Sequence, residues 1–252
     1  MRLIIQQDLV QAFETPARAL NGIIRLTPRS HAAHHVIRWR LDIDTDSEVR
    51  TGEDAWGNIV HSFSVDGPLA RLAIRVEGEV ETQDVAGVVT GAAERFPPEF
   101  YLRETPATRP DDRLRQLARE GAAHLESGLE RLHALMDLLH GGKDRLAEAT
   151  ELAHQFIACA RFLGIPARFA SGYVLAATSG APHAWAEAHV PGIGWIGFDA
   201  AFGICPRDGH VRVACGPDFL AAAPWRCSQQ NGLPVAPVAQ AIVRQAAWQG
   251  QS

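Results

Sequence analysis

The sequence predicts an α+β protein, an N-terminal antiparallel β domain followed by helices packed on a second antiparallel sheet, and three observations predict it. Over residues 35–44 the apolar Ile37, Trp39, Leu41 and Ile43 alternate with Arg38, Arg40, Asp42 and Asp44, the period of a strand buried on one face. Further on, Leu125, Leu129, Leu132, Met136 and Leu139 recur at spacings of three and four, the period of a helix. After Pro166 the chain returns to strand character at residues 168–176, 183–190 and 195–198.

The elements follow in chain order. Leu72, Ile74 and Val76 repeat the alternation of 35–44, and Asp54-Ala55-Trp56-Gly57-Asn58 supplies a turn ahead of the apolar run 59–63. Residues 1–105 are therefore expected to form the β domain. Prolines and aspartates at 106–112 mark a linker, with an aspartate placed to cap the helix that follows. A second domain is expected over 113–240, and 241–252 reads as a C-terminal tail, polar at 249–252. Its first helical pattern ends at Gly141-Gly142, and a second helix is expected from a cap at Asp144 to Leu163, stopped by Gly164 and Pro166. Pro191-Gly192-Ile193-Gly194 is the turn between the last two strands.

Bulk composition excludes several classes of function. The 252 residues are 46% hydrophobic and 21% charged with a formal net charge of −5, so neither a nucleic acid nor an anionic membrane is an expected partner. Nothing in the first ten residues has signal-peptide character, and no stretch reaches the roughly 18 apolar residues of a membrane span. A cytoplasmic location is expected. Cys159, Cys205, Cys215 and Cys227 lack CxxC spacing and read as free thiols.

One region carries a resemblance. The run Glu151-Leu152-Ala153-His154 through Gly164-Ile165-Pro166-Ala167-Arg168 to Tyr173, then His183-Ala184-Trp185-Ala186-Glu187 and Gly194-Trp195-Ile196-Gly197-Phe198-Asp199, resembles the core of the transglutaminase-like cysteine proteases of bacteria, a papain-like fold. Looser similarity extends into the first hundred residues through 53–58, 78–82 and Glu94-Arg95. The resemblance implies acyl transfer at an amide: a Cys thiolate at a helix start attacks the carbonyl, a His moves the proton and an Asp orients that His. It places the His at His183 and the Asp at Asp199, and it implies Trp185 and Tyr173 as substrate contacts. It implies no cofactor.

The position of the family's Cys is occupied by Ala149, two residues before Glu151. Its neighbours depart too, with Ala147-Glu148 before it, Thr150 after it, and Glu151 where the family has Asp. Good helix formers at 145–152 extend the expected helix back to Asp144, which would leave residue 149 beyond the first turn and away from the positive dipole end. Other candidates for a nucleophile are Cys159, Cys205 and Thr150, with Cys159 and Cys205 read chiefly as structural thiols. Glu151, His154 and His183 supply three potential metal ligands, although the resemblance accounts for the first two without a metal. His31, His34 and His35 read as a solvated loop, and the acidic series 42–48 lacks the glycine of a calcium loop.

Strand geometry constrains the dyad. If 191–194 were a four-residue loop, Asp199 would face Ala186 and lie on the opposite side of the sheet from His183. A three-residue loop with a glycine bulge would put Asp199 opposite Trp185, diagonal to His183, and this shift is expected. The function expected from all this is a catalytically impaired transglutaminase-like protein that binds a peptide or a partner protein. The alternatives are an active amide or isopeptide hydrolase or acyltransferase with another nucleophile, and a purely structural subunit. No feature of the sequence specifies an oligomeric state.

Overall fold

A computed structural model describes residues 1–142, 148–175 and 182–246. The first sheet is built on two long strands, β1 (Arg2–Thr27) and, further along, β4 (Ile59–Thr82), with β2 (His34–Ile43) and β3 (Arg50–Glu53) between them in sequence. The short β5 (Val88–Val89) leads through two 3₁₀ turns to α1 (Asp112–Gly121), α2 (Gly128–Gly141) and α3 (Ala149–Phe162). Then come β6 (Ala167–Val174), β7 (His183–Val190), β8 (Gly194–Phe198) and β9 (His210–Gly216), followed by the short α4 (Phe219–Ala222), β10 (Trp225–Gln230) and β11 (Val238–Gln245).

β1 alternates inward Leu3, Ile5, Gln7, Leu9, Gln11 and Phe13 with outward residues, then passes irregularities between Ala12 and Ala19 before continuing to Ile24. Two of its inward positions are glutamines, which hides its period from a reading of apolar residues alone. β4 covers one edge of β1, and the other edge is paired with β11 over Leu3–Val10 and with β10 over Ala19–Ile24. A 26-residue strand left open along one edge would invite pairing with other chains, and β11 and β10 cover two stretches of that edge. The sheets therefore do not follow the expected division of the chain at 106–112. Residues 225–245, assigned from sequence to the second domain and to a tail, belong to the first sheet, and β5 belongs to the second.

In β2 the inward set breaks at a register shift between Val36 and Arg38, so Ile37 is the extra residue and is 42% exposed. Trp39, Leu41 and Ile43 keep the half-buried face. The Asp54–Asn58 turn forms as expected, Asp54 Oδ1 accepting from the amides of Trp56 and Asn58. Asn58 also donates to the Cys215 carbonyl and accepts from the Cys215 amide, both at 2.8 Å, so a turn side chain ties the first sheet to β9.

The second sheet runs in the order β5-β8-β7-β6-β9, all antiparallel. Helix α1 is capped by Asp111, whose Oδ1 accepts from the Leu114 amide. Helix α3 is buried along 152–161 and packs on β6 and β7, with α1 and α2 against it. Leu135, Phe156, Phe169 and Phe198 join Leu3, Ile5 and Leu20 in one apolar cluster spanning both sheets and the helices. Among the described residues no helix is long and apolar enough to cross a membrane.

Candidate active site

The site begins with the β7–β8 connection. Val190 pairs with Gly194, leaving a three-residue loop in which Gly192 has φ 84° and Gly194 φ 102°, conformations that favour glycine. Ala186 consequently pairs with Phe198, and Asp199 lies one step beyond, diagonal to His183 at the start of β7. This is the odd connection that the pair requires, and His183 Nε2 is 2.6 Å from Asp199 Oδ2.

Asp199 has no solvent exposure, and donors surround it. Oδ1 accepts from the amides of Ala201 (3.0 Å) and Phe202 (3.2 Å), while Oδ2 also receives His210 Nε2 at 3.1 Å. Burial alone would raise its carboxyl, but the hydrogen bonds from His183 and His210 outweigh that and hold it below the usual carboxylate range. Sequence reasoning missed His210. Its only local signal is the alternation of Val211 and Val213 that marks β9, and nothing there announces a partner eleven residues back.

Gly172 explains how β9 reaches the site. It pairs with His183 on one side, and on the other the β6–β9 register shifts between Ser171 and Gly172. A Cβ at Gly172 would stand 2.1 Å from the Val211 carbonyl oxygen, so only glycine permits this approach. The loop after Asp199 is held from α2. His140 Nδ1 lies 3.1 Å from the Ala200 carbonyl, and His133, whose Nδ1 donates to the Leu129 carbonyl, leaves Nε2 to accept from the Cys205 thiol at 3.7 Å. Phe202 lies against the His183 ring, centroids 5.0 Å apart.

Position 149 differs from the sequence-based expectation. Glu148 is extended (φ −65°, ψ 155°) and is the N-cap of α3, its carbonyl accepting from the Glu151 and Leu152 amides, so the helix starts at Ala149. The expected cap Asp144 lies outside the described residues. Ala149 is thus in the first turn, where free amides and the dipole favour an anion, and not one turn beyond it.

The other candidates resolve one by one. Cys159 is fully buried, its thiol donating to the Leu114 carbonyl and pushed up to about 12 by burial. Burial likewise raises the Cys205 thiol. Tyr173 does not face an open cleft: it is enclosed between the sheets, its hydroxyl donating to Gln7 Oε1 at 2.5 Å, with Trp39 beside it. Trp185 is buried and meets the His210 ring edge-on at 5.5 Å, backing both imidazoles. His31 and His34 are not a solvated loop. His34 is 2% exposed, the ring centroids are 4.1 Å apart, and burial lowers the two imidazoles to about 4 and about 3.

Glu151, His154 and His183 do not gather as a metal-ligand set. His154 Nε2 accepts from the Phe219 amide, and Glu151 accepts from Gln155. The ligand atoms of His183, Asp199 and His210 do lie within 4.8 Å of one another, the one such group among the described residues. A metal would need the Nε2 lone pair of His210, with Nδ1 carrying the proton. Nδ1 instead accepts from the Arg207 amide at 3.3 Å, which puts the ring proton on Nε2, aimed at Asp199. The three side chains fit a hydrogen-bonded triplet and do not fit a metal site.

A second buried carboxylate adjoins the triplet. Glu187, fully buried on β7, accepts from Arg168 of β6 at 2.7 Å and from Arg212 of β9 at 2.5 Å. Arg168 also holds Glu94 through two bonds of 2.6 and 2.9 Å and lies 3.9 Å from the Trp195 ring centroid. Burial pushes the Glu187 carboxyl up, but Arg212 and then Arg168 outweigh it and bring it down to about 2.

Comparison with known proteins accords with this geometry. Residues 3–81 match the bacterial transglutaminase-like N-terminal region, and residues 104–200 match the transglutaminase-like superfamily core. The uncharacterized protein ML0607 of Mycobacterium leprae is 25% identical over 260 residues, covering 89% of this chain and 92% of its own. A candidate cysteine protease of Cytophaga hutchinsonii superposes with a TM-score of 0.74 at 19% identity, covering 98% of this chain and 92% of that one, which speaks for the fold. The periplasmic domain of TgpA from Pseudomonas aeruginosa is more distant, with a TM-score of 0.37 at 16% identity over 76% of this chain and 73% of that one. With both matched regions in place and the papain-like arrangement of α3 against β6 and β7, the chain belongs to the transglutaminase-like superfamily.

Proposed function

We propose that this chain is a transglutaminase-like pseudoenzyme that binds a peptide or partner protein without cleaving it. The observation that carries the reading is Ala149 as the first residue of α3, in a fold where His183 and Asp199 are paired at 2.6 Å. A methyl group has neither the lone pair nor the proton of a nucleophile, so the half of the site that would form an acyl intermediate is missing. The other half keeps its proton-handling geometry. With Nε2 committed to Asp199, His183 turns its Nδ1 lone pair elsewhere, where it accepts an N–H or O–H of a bound peptide. The four cysteines are free thiols, which supports a reducing, cytoplasmic setting.

One contact favours the alternative, an active amide or isopeptide hydrolase or acyltransferase with another nucleophile: Cys205 Sγ stands 3.7 Å from a ring nitrogen of His133. A broad peptide library separates the readings when the wild type is measured beside His183→Ala and Cys205→Ser. Binding without turnover is the expected result. Turnover abolished by His183→Ala or by Cys205→Ser overturns the pseudoenzyme reading, and the absence of any peptide binding leaves the purely structural role.

A further inference from the structure

We propose that His210 is a positioning residue of this site, which acts through Asp199 to hold His183 with its ring proton on Nε2 and its lone pair on Nδ1. A backbone amide sets the tautomer of His210. The Arg207 N–H can only donate, and at 3.3 Å from His210 Nδ1 it makes that nitrogen an acceptor, so the proton of the ring sits on Nε2. The turn is closed by the His210 amide donating to the Arg207 carbonyl at 2.9 Å, and the ring is 8% exposed with Trp185 edge-on against it. His210 therefore presents a fixed donor to Asp199 Oδ2.

The consequence appears at the carboxylate. Oδ1 is taken by the Ala201 and Phe202 amides and Oδ2 by two imidazoles, so four donors converge on one anion that has no proton of its own to give. The two amides on Oδ1 already oppose rotation of the carboxylate about its Cα–Cβ bond, and His210, on the same oxygen as His183, adds one more bond that rotation would break. His183 must then donate from Nε2, and Nδ1 is left as the acceptor. That Nδ1 faces a bound peptide rests on the function proposed above, whereas the coupling of His210 to His183 does not.

The test compares the intact protein with His210→Phe, which fills the space without a donor, and His210→Gln, whose amide restores an N–H near the same place. Long-range ¹H–¹⁵N spectra of the imidazoles report the tautomer of His183, and solvent exchange reports the lifetime of its Nε2 proton. In the wild type both His183 and His210 should carry the proton on Nε2. In His210→Phe, His183 should become a mixture of tautomers and its Nε2 proton should exchange about tenfold faster, with His210→Gln close to wild type. If the phenylalanine variant fails to fold, His210→Met takes its place as the donor-free variant. An unchanged His183 spectrum in a folded donor-free variant, or a glutamine variant no better than the donor-free one, overturns the proposal. Peptide binding is measured separately on the wild type, so failure of the peptide cleft and failure of His210 are told apart.

Discussion

Two carboxylates are buried side by side in the second sheet, and each is held between two nitrogen-bearing side chains. Glu187 lies between Arg168 and Arg212, and Asp199 lies between His183 and His210. The second partner in each case comes from β9, two positions apart. What differs is the proton. A guanidinium keeps its charge at any pH a protein meets, so the arginine set is a fixed electrostatic strut. An imidazole can give up or take a proton, and its two nitrogens can exchange roles, so the histidine set is the part of the sheet able to do chemistry. The same bridge is a fixed strut in one place and, under the function proposed above, handles a proton in the other.

Removing the acid should separate the two sets most clearly. Glu187→Ala leaves the buried Arg168 with Glu94 alone and the half-buried Arg212 without its carboxylate, and should cost about 3–5 kcal/mol in chemical denaturation, or prevent folding. Asp199→Ala leaves two imidazole N–H groups without their acceptor, and about 1–3 kcal/mol is expected. Equal losses would show that the histidine set is a strut as well. Gly172→Ala tests whether the closeness of β9 underlies both bridges. Its Cβ would meet the Val211 carbonyl oxygen, and about 1–3 kcal/mol is expected together with altered His183 and His210 resonances. Normal spectra in that variant would show that β9 can retreat without disturbing the site.

The pH dependence should sharpen the contrast in two steps. His31 and His34 are lowered from the usual 6.5 to about 4 and about 3, so below pH 6.5 the unfolded chain binds protons that the folded one refuses. Stability should fall as the pH drops through that range, and His34→Phe should remove part of the slope. The Glu187 contribution is complete above the ordinary carboxylate value of 4.5 and is lost as the pH falls toward about 2, with Asp199 shifted in the same direction. Thermal melts in steps from pH 8 to pH 2 should show both windows. A flat profile between pH 6.5 and 4.5 would count against the buried histidine pair. The smallest effect is expected at Tyr173→Phe, about 1 kcal/mol, because it removes one hydroxyl bond to Gln7 and leaves the packing. A loss of peptide binding in that variant with unchanged stability would restore Tyr173 as a ligand contact.

Much of this was legible in the sequence wherever local rules decide. The alternation at 39–43, the leucine spacing of α2, the Asp111 cap and the glycines around Ile193 each depend on neighbours a few residues away. Those glycines also carry the odd loop that puts Asp199 diagonal to His183. The start of α3 was misread because helix propensity at 145–152 is uniform and gives no sign of the extended Glu148. β1 was obscured for a similar reason, since Gln7 and Gln11 occupy buried positions and reach distant partners, the Tyr173 hydroxyl and the Val235 carbonyl, that no local pattern records.

By itself, then, the sequence determined the succession of sheet, helices and sheet, the family motif, the alanine at position 149 and the spacing of His183 from Asp199. Periodicity, turn chemistry and capping act over one or two turns of chain, and a single sequence displays them directly. Only the tertiary structure decided that β10 and β11 close the edge of β1, that residue 149 opens its helix and that His210 shares the carboxylate of Asp199. These depend on which buried polar groups find one another once β9 crosses close over Gly172. That is settled by burial and hydrogen-bond satisfaction across the whole molecule, and no local pattern records it.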